Sequence, residues 1–87
     1  MSAESLTTKY IGAMEKTIKD MKQKEDAIVI SKECVNQILS YVKSYLEDAK
    51  YFRDQKKFET SLTSIAYCEG LLDALKLIGA VKILEKS

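Results

Sequence analysis

Apolar residues recur along the first part of the chain at helical intervals. Leu6, Tyr10, Met14, Ile18 and Met21 step by four, four, four and three, which places them on one stripe of a helix. Lys9, Lys16, Lys19 and Lys22 fall mostly off that stripe and read as its solvated face. The spacing predicts a helix over about 4–24. Residues 23–30 break the pattern and read as a connection. Ser31 then suits a helix N-cap, its hydroxyl accepting from the amide of Glu33 or Cys34. Beyond it Val35, Ile38, Val42, Tyr45, Ala49 and Phe52 step by 3, 4, 3, 4, 3, a clean seam that Leu39 and Leu46 widen. This predicts a second helix over about 32–55.

A turn is expected near Asp54–Lys57, followed by a third helix over about 58–78. Its broad apolar stripe is Phe58, Leu62, Ile65, Ala66, Cys68, Leu72 and Leu75. Gly79 suits the left-handed residue that ends such a helix. The tail, residues 80–87, still carries Val81, Ile83 and Leu84, and either extends the helix or folds back over the bundle end. Three amphipathic helices with short links predict an all-α fold, a three-helix antiparallel up-and-down bundle making one domain over 1–87.

Composition changes the picture mainly by exclusion. The chain of 87 residues has no proline, no histidine and only three glycines, which suits long uninterrupted helices. Without histidine, a Ser-His-Asp or Cys-His arrangement within the chain is excluded, and so is a His-ligated zinc or haem site. No cofactor is expected. Apolar runs are far shorter than the ~18–20 residues of a membrane span. The first residues lack the layout of a signal peptide, so the expected compartment is the cytoplasm. Charge nearly cancels at +1 overall, with residues 1–26 summing to 0, 27–57 to +2 and 58–87 to −1. No segment has the positive excess that phosphate-backbone binding uses.

Candidate chemistry is sparse. In a hairpin centred near residues 56 and 57, Cys68 is expected opposite about Tyr45, and Cys34 opposite about Gly79. The two sulfurs then lie ~17 Å apart along the axis. A disulfide needs Cα atoms within ~7 Å, so both cysteines read as small buried apolar residues. Glu69 and Asp73 share a face of the third helix, but Asp48 lies ~12 Å from Asp73 in axial level. A divalent-metal or enzymatic carboxylate site is therefore a weak alternative, and Asp48 and Asp73 are better read as acceptors for tyrosine hydroxyls or a helix end. Tyr41, Tyr45, Tyr51 and Tyr67 suit a core rim or a protein interface, each with an apolar body and a polar tip. Lys50, Arg53, Lys56 and Lys57 gather at the hairpin tip among Tyr51, Phe52 and Phe58. That tip is the one nucleic-acid candidate, although Asp48, Asp54 and Glu59 dilute it. Gly70, mid-helix, is expected to admit the close approach of another helix.

The block Tyr45-Leu46-Glu47-Asp48-Ala49-Lys50-Tyr51-Phe52, then Ala66-Tyr67-Cys68-Glu69-Gly70-Leu71-Leu72-Asp73-Ala74, closing on Leu77-Ile78-Gly79, resembles an archaeal family of small proteins classed as domain of unknown function 357. The motif residues are Tyr45, Asp48, Phe52, Tyr67, Gly70 and Asp73. The resemblance covers about residues 41–79, and the first helix loosely through Lys9-Tyr10-Ile11. It implies a three-helix up-and-down bundle in an archaeal, cytoplasmic protein, and adds almost nothing on activity. The family carries Gly-Asp in the hairpin turn where Lys56-Lys57 stand here, and alanine where Cys68 stands. Residues 49–75 also resemble a tetratricopeptide-type hairpin or the last two helices of a microtubule-interacting-and-transport domain. Both bind peptides or helices in grooves, but no second copy at ~34 residues is present. The function expected is a non-enzymatic helical protein-interaction module, binding a protein partner or itself as a homodimer, with no membrane partner.

Overall fold

Three helices account for most of the chain: α1 (Ala3–Asp20), α2 (Lys32–Asp54) and α3 (Phe58–Leu77). They belong to a computed structural model that describes residues 2–84, among which there is no strand. The all-α class therefore follows the hydrophobic spacing. Two helices begin where a serine hydroxyl satisfies a free amide: Ser2 accepts from the amide of Ser5, and Ser31 from that of Cys34, each at 3.1 Å. α1 stops at Asp20, short of the expected 24, where Met21 turns extended. The residues that follow, Lys22-Gln23-Lys24, are polar and exposed, so no packing holds a further turn.

α2 and α3 pack as an antiparallel pair. The Ser61 hydroxyl donates to the Ala49 carbonyl at 2.7 Å, and the Cys68 thiol to the Val42 carbonyl at 3.4 Å. Moving seven residues forward on α3 thus moves seven residues back on α2. The seam expected on α2 is the one that faces α3. Val35, Ile38, Leu39, Val42, Tyr45 and Phe52 are half-buried and Ala49 is buried, while Leu46 lies at the exposed edge. From α3, Ile65, Cys68, Leu71, Leu72 and Leu75 meet it. Leu75, 1% exposed, is the most deeply covered side chain, a burial worth ~1.5–3 kcal/mol.

The broad stripe expected on α3 is split by this packing. Phe58, Leu62 and Ala66 do not join the interface but stay exposed, Leu62 at 68%. Apolar residues wrap most of the way around α3, and one neighbouring helix covers only one side of it. α1 makes no contact with α2 or α3. Its stripe residues Tyr10, Met14, Ile18 and Met21 all face solvent.

Both ends of the pair close in the same way. After α3 the amide of Ala80 donates to the Leu75 carbonyl at 2.9 Å and that of Gly79 to Lys76 at 3.0 Å, with Gly79 at φ 75°. After α2 the amide of Lys57 donates to the Phe52 carbonyl at 2.8 Å and that of Lys56 to Arg53 at 2.9 Å, with Lys56 at φ 59°. Each pattern pairs the last carbonyls of a helix through one left-handed residue. Gly79 ends α3 as expected. Ala80 and Val81 then leave the helix half-buried, and the end of the tail, 85–87, lies outside the described residues.

Candidate functional site

Of the motif residues, the structure brings Tyr45 of α2 and Tyr67 of α3 together. They stack with ring centroids 5.2 Å apart and planes 20° from parallel. The expected register, with Cys68 opposite about Tyr45, already brings Tyr67 close to that level. The observed register is shifted by about three residues, since Cys68 meets Val42 rather than Tyr45. The turn closes around Gln55 and Lys56, slightly earlier than a centre at 56 and 57, and this moves every cross-helix pair.

Beside the stack, Thr63, Ala66, Tyr67, Gly70 and Leu71 line an open, almost wholly apolar groove along α3. The spacing of these residues is that of one helix face. Gly70 was expected to admit a close neighbour, but no atom of the chain would meet a Cβ built there within 4 Å. The space above Gly70 is open. Sequence reading missed that the groove is continuous with Thr63 and Leu71. The signal was available in the nearly all-round apolar pattern of α3.

The carboxylates do not converge. Asp73 pairs with Lys76 at 3.4 Å rather than with a tyrosine, and Asp48 is exposed without a tyrosine partner. The i,i+3 spacing on one helix places that lysine within reach. Among the described residues no group of acidic or thiol side chains has the geometry to hold a metal ion. Tyr10, Tyr41, Tyr51 and Tyr67 are exposed residues. The Tyr41 hydroxyl accepts from the Gln37 side-chain amide at 3.3 Å.

At the hairpin tip, Lys50 is paired with Glu47 and Arg53 with Asp54, both at 3.1 Å. Lys56 and Lys57 sit in the turn, and the tip is a mixed-charge surface. Both cysteines are free thiols. Cys68 is half-buried as expected, but Cys34 is exposed rather than buried. It lies in the first turn of α2. By the observed register it stands ~12 Å along the axis from the level of Cys68.

A family model described as "Protein of unknown function (DUF357)" matches residues 9–81. The chain belongs to this family. No curated protein and no solved structure matches it. The matched span runs from the second turn of α1 to the first residues after Gly79, so the unpacked first helix is part of the family's domain. No helix of the described residues is long and apolar enough to cross a membrane.

Proposed function

We propose that this chain is a non-enzymatic helical interaction module of the cytoplasm, and that it self-associates. The observation that carries this reading is the unpartnered apolar surface. Tyr10, Met14 and Ile18 on α1, Met21 just past its end, and Leu62, Tyr67 and Leu77 on α3 are all well exposed. Contiguous apolar helix faces of this kind mark interaction surfaces. An isolated helix the length of α1 is marginal in water, because helices in proteins draw most of their stability from packing. Two free thiols agree with a reducing compartment.

The test is sedimentation velocity over a wide concentration range, with an apolar dye titrated in parallel. Concentration-dependent association is the expected result; strong dye binding by a strict monomer would keep the interaction-module reading and overturn self-association. A strict monomer that leaves the dye free in solution would mean that the apolar faces cover one another within one chain, and would refute the reading.

A further inference from the structure

We propose that α1 of one copy docks in the groove beside the Tyr45–Tyr67 stack of a second copy, and the reverse, forming a symmetric arm-exchanged dimer. This rests on the self-association reading above and names its interface. Four observations point to it.

The first is surface area. The chain exposes 8153 Å² at a mass of 9.8 kDa, against ~5,200 Å² for a folded monomer of that mass. Its radius of gyration is 16.4 Å, against ~12 Å for a compact chain of this length. The surplus is about 3,000 Å² per chain. Surrendering half of it on each copy places a dimer inside the ~2,000–5,000 Å² of obligate homodimers.

The second is shape. Ala66 and Gly70 line the groove, with free space above Gly70, and Ala74 follows one turn on along the same helix face. The stripe of α1 offers large side chains, Tyr10, Met14 and Ile18. Large residues opposite small ones interdigitate at the packing density of a core.

The third is charge. Residues 58–77 of α3 sum to −2, and Glu69 and Asp73 share one face of that helix. Lys9 and Lys16, with Asp20 as the one acidic neighbour, run along one edge of the α1 stripe. Opposite charges along the border of an interface select partner and orientation.

The fourth is the position of the arm. α1 touches neither helix of its own hairpin, and residues 21–31 that join them are exposed and non-helical. That is the conformation an exchanged arm requires, with no rearrangement to undo first.

The interface is tested by cross-linking full-length chains. In a Cys34→Ser, Cys68→Ala background, one preparation carries Met14→Cys and a second Ala66→Cys, each at the middle of its element. Either direction of docking then brings the two sulfurs together. The chains are mixed and oxidised under mild conditions, after circular dichroism has shown that both keep the parent helicity. Unlike chains are expected to link several-fold more than like ones, and light scattering on the unsubstituted chain to give a dimer. Hydrogen exchange on that chain is expected to show α1 amides becoming protected as concentration rises. If a doubly substituted chain instead closes on itself as a monomer, α1 covers its own hairpin and the proposal is wrong. A dimer without the unlike link would leave self-association standing and overturn this interface alone. A monomer with exposed, dye-binding faces would overturn self-association and this interface together, leaving only the broader module reading.

Discussion

Tyr45 and Tyr67 lie face to face across the α2–α3 interface, one half-buried and the other largely exposed. Offset aromatic pairs contribute ~0.5–1.5 kcal/mol beyond the area they cover. A double-mutant cycle with Tyr45→Leu and Tyr67→Leu is therefore expected to give a coupling of about 1 kcal/mol in urea unfolding. Additivity of the two single effects would show that the stack contributes only surface coverage.

The hairpin turn carries a strain that one substitution removes. Lys56 holds a left-handed backbone, which costs an L-residue ~1–2 kcal/mol and glycine little. Lys56→Gly is expected to raise stability by roughly 1 kcal/mol, since part of the gain is returned as unfolded-chain entropy. A midpoint that falls in chemical denaturation would contradict this.

Lys57 is the N-cap of α3 and gives its first amides no side-chain acceptor. Lys57→Asp would supply that acceptor and place a negative charge at the helix start. A gain of about 1 kcal/mol is expected, shrinking as salt is added. Together the two changes write Gly-Asp into the turn, the dipeptide that the family resemblance implies there. The structure gives each half a separate reason: the glycine for backbone freedom, the aspartate for the cap.

Gly12 lies inside α1 with no atom within 4 Å of a built Cβ. Gly12→Ala is expected to stabilise α1 by ~1 kcal/mol, read as increased helicity at 222 nm in the far ultraviolet. No change in helicity would mean that α1 is already fully held by packing.

The two thiols are expected to differ in accessibility. Cys34 is exposed, whereas Cys68 is half-buried and hydrogen-bonded to the Val42 carbonyl. A maleimide should modify Cys34 at least several-fold faster in the folded chain, and the two should become equal in denaturant. Equal rates in the native state would contradict the observed packing of α3 on α2.

Much of this protein was legible in its residues. The 3-4 steps from Val35 to Phe52 marked the buried side of α2, because only one face of that helix is apolar and only that face finds a neighbour. Ser31 announced the start of α2 and Gly79 the end of α3, since capping is chemistry local to a few residues. The nearness of Tyr45 and Tyr67 followed from helical rise together with a turn placed near residue 56. Other features needed the tertiary structure. The apolar residues of α3 run nearly all around it, so periodicity could not say which of Leu62, Ala66, Cys68 and Leu72 would meet α2. The register depended on a left-handed lysine, a conformation that its residue type does not advertise. Above all, the stripe on α1 specified that this helix has a face to bury, but not against what. The sequence by itself determined three helices and their apolar faces, because amphipathicity is written residue by residue. The tertiary structure decided which faces are covered and which stay open, because that depends on how many helices can reach one another at once.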